Sequence, residues 1–217
     1  MATKRKVNNL LALAVLSTLF ERPMHRYEIA AVMRERGKDR DMDIKWGSLY
    51  TVVQNLEKHG FLEITGSERD GARPERTIYA ITPAGREEAL DWTRELLSTP
   101  QPTHNPFVAG LGIAAALPPD EVNALLGRRL ERLTERITAA RAESDKYRTV
   151  VPRLFLIEAE FGIAMLEAEI EWVRALRADL SSGTFPDIDM WRRVTSENLD
   201  VQEAIKMVER GEFTKPT

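Results

Sequence analysis

The spacing of apolar and polar positions in this 217-residue chain predicts a series of helices, interrupted once by two short strands. Within residues 46–58 apolar side chains recur three and four positions apart, so one face of the predicted helix is apolar and the other polar. Gly60 follows, where a helix end favours a left-handed residue. Strands are predicted over 61–66 and 75–82, with a polar turn between them. The apolar stripe of the helix consists of Leu49, Val52, Val53 and Leu56.

Helix start and stop signals complete the N-terminal region. Thr82 precedes Pro83, and this pair predicts a helix start because threonine caps and proline suits the first helical position. Two earlier apolar-striped helices are expected over about residues 6–20 and 25–36. Three helices followed by two strands give the order of a winged helix-turn-helix. The predicted fold class is therefore mainly α, with an N-terminal winged helix-turn-helix that carries a two-stranded wing over residues 1–98.

The main use of this architecture is to contact duplex DNA. A major groove admits one α-helix, and short polar side chains on its outer face reach base edges. Arginines on a wing and a basic N-terminal arm commonly face phosphate or a minor groove. The alternative is an ordinary solvated helix face with isolated surface arginines. DNA is favoured because these residues lie on the elements that the architecture presents to a duplex. The predicted DNA-contacting residues are Lys4, Arg5, Lys45, Ser48, Tyr50, Thr51, Gln54, Asn55, Arg73 and Arg76.

Two segments of the chain resemble a known family. The sequence GSLYTVVQNLEKHGFLE, residues 47–63, is similar to the recognition helix of PadR-type transcriptional regulators. The sequence ARPERTIYAIT, residues 72–82, resembles the wing motif of that family, and Gly85 follows it. The resemblance covers about residues 6–98. It implies a homodimer that represses transcription and is released by a small ligand or signal.

The remainder of the chain has the pattern of an all-helical domain, predicted over residues 99–217. A proline-rich segment at 98–106 marks the boundary. Helices are then expected over about 107–117, 118–149, 152–180 and 188–210. Their stripes of Leu, Met and aromatic residues predict either a core or a helical dimer interface, and the resemblance also implies dimerisation by this region. A dimer would place two recognition helices about 34–36 Å apart and would require a near-palindromic operator.

Trp92 and Phe107 are candidates for the wall of a pocket that binds a small aromatic effector, since flat ligands stack on such rings. Ordinary core packing is the alternative for both side chains. The resemblance does not select an effector, because members of the family respond to phenolic acids or to flat hydrophobic drugs.

Composition and charge narrow the possible functions. The absence of cysteine excludes disulfides and thiolate chemistry and fits a reducing cytoplasm. No apolar run has the length of a membrane span, so no membrane association is expected. The net charge of −3 hides an asymmetry. Residues 1–90 hold 15 basic and 13 acidic side chains, a balance of +2, whereas residues 91–217 hold 16 and 21, a balance of −5. This bias is too weak for non-specific DNA coating but is compatible with a specific dimeric regulator.

Catalysis is not expected. The three histidines, His25, His59 and His104, are scattered, and the sequence contains no Glu-x-x-His pair, phosphate-binding glycine loop or cluster of metal ligands. The glutamates of the helix predicted over 152–180 are expected to form a solvated face. No cofactor or metal is predicted. The remaining alternative to a DNA-binding regulator is a winged-helix module that binds another protein and does not contact DNA.

Overall fold

The computed structural model describes residues 5–37, 46–68, 76–102 and 104–197, together with 206 and 210. The chain divides into two compact units, residues 1–103 and 104–217, so the division falls within the proline-rich segment. Each unit contains its own hydrophobic core. In the part of the chain that is described, no helix has both the length and the apolar character needed to cross a membrane.

The N-terminal unit contains helices packed beside a small antiparallel sheet. A 3-10 turn over Trp46–Ser48 leads into its third helix. The predicted order of three helices, two strands and a capped helix is confirmed. In chain order the elements are α1 (Leu10–Thr18), β1 (Met24–His25), α2 (Arg26–Glu35), α3 (Leu49–Lys58), β2 (Leu62–Glu68), β3 (Arg76–Ile81) and α4 (Pro83–Ser98).

Helix α1 forms the centre of the N-terminal core. It is apolar on nearly every side, as expected for a helix that is surrounded by other elements. Its N-cap is Asn9, whose side chain accepts a hydrogen bond from the backbone N–H of Leu11. The helix therefore begins later than the predicted start near residue 6. Its buried residues are Leu11, Ala12, Ala14, Val15, Leu16 and Thr18.

The predicted two-stranded wing is confirmed as the hairpin of β2 and β3, and a third strand that was not predicted, β1, extends the sheet in the order β1-β3-β2. Met24 pairs with Tyr79, and His25 pairs with Ile78. A strand of two residues is too short to show the alternating pattern by which strands are detected in a sequence. This short strand connects the wing to the start of α2.

A close junction joins the end of α3 to the wing and to α4. Gly60 ends α3 with a φ of 76°, and the Thr82 hydroxyl donates a hydrogen bond of 2.7 Å to the Gly60 carbonyl. The same hydroxyl oxygen accepts from the backbone N–H of Gly85 at 3.0 Å and caps α4. A Cβ at Gly85 would lie 2.1 Å from the Phe61 carbonyl oxygen, so this position requires glycine.

The C-terminal unit is helical, and its core lies between two long helices. Its elements are α5 (Pro106–Gly112), α6 (Pro119–Tyr147), α7 (Ile157–Ser182) and α8 (Ile188–Ser196), with 3-10 turns over Ala114–Ala116 and Arg153–Phe155. The helix predicted over 107–117 is thus divided after Gly112. The predicted last helix, 188–210, is confirmed over Ile188–Ser196, and most of the remainder lies outside the described residues. The core consists of Val122, Leu126, Leu133, Ile137, Ile170, Val173, Leu180 and Ile188.

We expect Gly85→Ala to lower the free energy of unfolding by about 3 kcal/mol or more, because the added methyl group would overlap the Phe61 carbonyl. Urea unfolding followed by circular dichroism would measure the change. Gly47→Ala in the same unit is the control, since a Cβ there meets no atom within 4 Å. Equal stabilities of the two variants would contradict the close approach at Gly85.

Candidate nucleic-acid interface

Helix α3 is divided into a buried and an exposed face, as its sequence predicts. The apolar stripe that begins at Leu49 lies in the core, while Tyr50, Thr51, Gln54 and Asn55 are exposed. The Gln54 side-chain amide donates a hydrogen bond of 2.7 Å to the Tyr50 hydroxyl one turn earlier. The outer face therefore presents amide and hydroxyl groups whose orientation is partly determined by each other.

Arginines and tyrosines connect this face of α3 to α2 and to the wing. The Arg26 guanidinium carbon lies 4.7 Å from the centre of the Tyr50 ring and 5.0 Å from that of Tyr27. Arg26 also donates a hydrogen bond of 3.3 Å to the Tyr27 hydroxyl, which raises the pKa of Arg26 and keeps it cationic. Arg76, which pairs with Glu68 in the strand register at the loop end of the wing, lies 6.0 Å from the Tyr27 ring. These cation–π contacts make one continuous surface from α2, α3 and β3.

A second arginine of α2 extends this surface towards the start of α3. The Arg34 guanidinium lies 4.2 Å from the centre of the Trp46 ring. Arg34 and Arg26 both line a concavity of about 530 Å³, together with Ala30. Among the described residues, neither arginine has an ion pair with a carboxylate. A guanidinium is a strong donor to anions such as phosphate.

Sequence reasoning missed Arg26, Tyr27 and Arg34. The available signal was their spacing on α2, because Arg26, Ala30 and Arg34 are four residues apart and therefore share a face. That face contributes to the candidate interface only because the cation–π contacts bring it beside Tyr50.

Arg5 occupies a different environment from the one the sequence suggested. Its side chain is only 9% exposed and pairs with Glu88 at 2.7 Å, Asp91 at 3.2 Å and Glu95 at 2.6 Å. It also lies 5.4 Å from the Trp92 ring. Burial opposes its charge, but hydrogen bonds to the three carboxylates outweigh burial and raise the pKa of Arg5. Arg5 thus attaches the N-terminal arm to α4, and its Nε, Nη1 and Nη2 atoms all donate to carboxylates.

The other predicted site residues have varied positions. Ser48 is half-buried beside the start of α3. Arg76 Nη1 lies 3.5 Å from His25 Nε2. Lys4, Lys45 and Arg73 lie outside the described residues.

The two aromatic residues predicted to form a pocket wall lie in different units. Trp92 is 3% exposed and belongs to the N-terminal core, so ordinary packing accounts for it. Phe107 lines a cavity in the C-terminal unit. Among the described residues there is no group of three or more His, Asp and Glu side chains that could hold a metal ion.

The buried and exposed faces of α3, the helix before it and the adjoining antiparallel sheet define a winged helix-turn-helix, a class of DNA-binding domain. Residues 15–91 match the Transcriptional regulator PadR-like family. The N-terminal unit therefore contains a PadR-like domain, the domain of a DNA-binding transcriptional regulator, and the resemblance noted in residues 47–63 and 72–82 is confirmed.

The chain is also similar to proteins beyond the matched domain. It is 27% identical over 187 residues to a probable transcriptional regulator of Mycobacterium tuberculosis, an alignment that spans 78% of this chain and 89% of the relative. The solved structure of Bacillus subtilis PadR with operator DNA has a TM-score of 0.67 at 17% identity, covering 79% of this chain and 99% of that one. Bacillus subtilis PadR with p-coumaric acid gives 0.66 at 16% identity, with the same coverage. The structural likeness confirms the fold class over both units.

We expect Arg5→Gln to lower the free energy of unfolding by about 1–3 kcal/mol, because it leaves three neighbouring carboxylates without their shared cation. Its effect on DNA affinity and on the salt dependence of binding should be small. Thermal unfolding and a DNA-binding titration would measure the two quantities. Arg94→Gln is the control. Arg94 lies on α4, the helix that carries the three carboxylates, and both Arg94 and its partner Glu87 are exposed. A changed salt dependence with unchanged stability would show instead that Arg5 contacts phosphate.

Proposed function

We propose that this regulator is a homodimeric repressor that binds a near-palindromic operator through α3 of each subunit and is released by a small ligand. The observation that carries the proposal is the exposed polar face of α3 beside two arginines, Arg26 and Arg34, that lack carboxylate partners among the described residues. The family match favours this function over a winged helix that only binds another protein.

The proposed contacts fall into two groups. Gln54, Asn55 and Thr51 contact base edges, because amides pair bidentately with adenine and a hydroxyl both donates and accepts. The hydrogen bond from Gln54 to Tyr50 uses one amide proton and leaves the amide oxygen and the second proton for a base. The second group contacts phosphates, and such contacts carry no sequence information. The residues proposed for it are Arg26, Arg34, Tyr50 and Arg76, with Lys4, Lys45, Ser48 and Arg73 as further predicted contacts.

An exposed apolar stripe on α7 supports the proposed dimer. Phe161 is 69%, Met165 54% and Trp172 47% exposed, and they lie on one face because their spacing follows the helical repeat. Soluble proteins rarely leave such a continuous apolar surface uncovered. We propose that a second copy covers it, since a two-fold dimer brings the same patch from both subunits together. Such a dimer would also present two copies of α3 to the two halves of a palindrome.

The other parts of the proposal follow from a DNA partner. The protein is expected to act in the cytoplasm, where bacterial DNA lies, and we assign it no catalytic role and no cofactor. Bacillus subtilis PadR has been solved with p-coumaric acid. That complex supports a small-molecule effector for this chain as well.

Selection of genomic fragments by the purified protein, with excess competitor DNA at near-physiological salt, is the experiment that tests this function. Recovery of a short inverted repeat would support a sequence-specific dimer. Recovery of nothing above background would contradict the proposed operator binding and leave a protein partner as the alternative.

We expect Gln54→Ala and Asn55→Ala each to weaken binding to the selected operator by about 1–3 kcal/mol while leaving binding to unrelated DNA unchanged. The reason is that each substitution removes a base contact and no cation. Fluorescence anisotropy with operator and scrambled duplexes would measure both affinities. Equal losses on the two duplexes would contradict base recognition by these side chains.

Arg26→Gln should instead weaken binding to all sequences and reduce the salt slope, the dependence of log K on log salt concentration, by about one. The guanidinium that lies over Tyr50 and Tyr27 would no longer release a counterion on binding. Arg94→Gln is the matched control, because it removes an exposed arginine of the same unit away from α3. A salt slope unaffected by Arg26→Gln would exclude a phosphate contact.

Phe161→Glu is expected to dissociate the dimer and, because one half-site binds weakly, to lower operator affinity at least about tenfold. Analytical ultracentrifugation would measure the monomer–dimer equilibrium. Ala178→Glu introduces the same charge on the polar, exposed face of α7 and serves as the control. A Phe161→Glu protein that remains dimeric would place the interface elsewhere.

A further inference from the structure

The C-terminal unit contains a cavity that the proposed DNA contacts do not use. Its volume is about 640 Å³, within the range of about 300–1,000 Å³ that is typical of small-molecule sites. One wall is α5 with the 3-10 turn that follows it, and the other is α6. The indole N–H of Trp191 donates a hydrogen bond of 2.8 Å to the Leu117 carbonyl and holds the end of the first wall in place.

The lining of this cavity combines aliphatic side chains with a row of arginines. Arg128, Arg132 and Arg136 lie on successive turns of α6, and none of them has an ion pair with a carboxylate in the part of the chain that the structure describes. Arginine recognises carboxylates through paired N–H groups. The cavity is therefore suited to a molecule with an apolar body and an anionic head group. Its aliphatic lining includes Leu111, Ile113, Leu117, Val122, Leu125 and Leu126.

The single aromatic residue among those that line the cavity determines what kind of apolar body fits. The Phe107 ring has the guanidinium of Arg129 at 3.7 Å from its centre, and Arg129 is itself paired with Glu169. Trp172 packs against the same ring in an edge-to-face contact, with 5.8 Å between ring centres. Phe107 is thus already engaged by a cation and by a second ring. A flat aromatic ligand would have little ring surface to stack on, whereas an aliphatic chain would contact the leucine-rich walls.

We propose that this cavity binds an aliphatic carboxylic acid, with the carboxylate at Arg128 and Arg132 and the chain along the aliphatic wall. The proposal differs from the aromatic effector that the sequence suggested. The role of the acid as the releasing ligand rests on the proposed function, but its binding does not require DNA. Binding and release can therefore be tested separately.

The first test is calorimetric titration of the full-length protein with dodecanoate, kept below its critical micelle concentration. We expect saturable binding at one site per chain. The matched alcohol 1-dodecanol should bind at least about tenfold more weakly, because it lacks the charge that arginine recognises. p-Coumarate should also bind more weakly than dodecanoate. Equal affinity for acid and alcohol, tighter binding of p-coumarate, or no saturable binding of dodecanoate would each overturn the proposal.

Charge variants locate the head group. The double variant Arg128→Gln and Arg132→Gln should bind dodecanoate at least about tenfold more weakly while its affinity for 1-dodecanol stays unchanged. Arg141→Gln is the matched control, since Arg141 lies on the same helix outside the cavity and pairs with Glu167. Dodecanoate affinity that the double variant leaves intact would overturn the assignment of these arginines.

A second variant tests the part of the cavity that holds the aliphatic chain of the ligand, without removing a charge from the protein. A Cβ at Gly110 meets no atom within 4 Å, and Gly110 lines the cavity, so Gly110→Leu places its side chain at an open position of the cavity wall. The variant should bind both dodecanoate and 1-dodecanol more weakly, and it should not lower the temperature of thermal unfolding. Unchanged affinity for both would mean that the ligands bind elsewhere. If the variant chiefly alters the monomer–dimer equilibrium, a second copy covers this surface and the proposal is wrong.

Titration of the selected operator with and without dodecanoate separates the site from its role. Weaker operator binding in the presence of the acid, lost in the Arg128→Gln and Arg132→Gln variant, would support release by this site. Saturable dodecanoate binding with unchanged operator affinity would overturn the effector role while the binding site stands. Failure to select any operator would count against the proposed function and would leave the dodecanoate result unaffected.

Discussion

The close contact between Gly85 and the Phe61 carbonyl determines how the N-terminal unit presents α3. At this junction α3 ends, β2 begins, β3 ends and α4 starts, so four elements meet within a few residues. The Thr82 hydroxyl uses its donor and its acceptor there, one towards Gly60 and the other from Gly85. Because the apolar side of α3 is also buried in the core, the helix cannot rotate without breaking this junction. Its polar face is therefore held in a constant orientation relative to the wing.

The arginines of both units are of two kinds: some are paired within the fold, and others can bind a partner. Arg5 and Arg129 are engaged by carboxylates. All four arginines lie near aromatic rings, but Arg26 and Arg34 have no carboxylate partner among the described residues. Stacking uses the face of the guanidinium and leaves most of its N–H donors at the edge. Such an arginine is held in position and still able to bind an anion. In the C-terminal cavity the carboxylate partner again makes the difference, because Arg129 pairs with Glu169 whereas Arg128 and Arg132 have no such partner among the described residues.

Local signals in the sequence were sufficient for the elements that carry the DNA-binding face. As predicted, α3 ends just before Gly60 and α4 starts at the Thr82–Pro83 pair. Both signals are local, since a left-handed turn and an N-cap depend on neighbouring residues alone. The engagement of Arg5 could not be predicted, because it depends on carboxylates more than 80 positions away. The short strand β1 was missed for a similar reason, since only its pairing with β3 makes it a strand. The sequence also could not decide between core packing and a ligand pocket for Trp92, because its burial depends on residues brought together by the tertiary fold.

The charge distribution gives the proposed dimer a functional role. Residues 1–90, which make up most of the N-terminal unit, have a charge balance of only +2. Since non-specific affinity rises with the number of phosphates neutralised, a single unit should hold DNA weakly. Two units on one operator double the contacts and make the second binding event intramolecular. Binding that depends on simultaneous engagement is sensitive to small changes in subunit geometry. A ligand in the C-terminal unit with a coupling energy of about 1–3 kcal/mol would then be sufficient to release the operator.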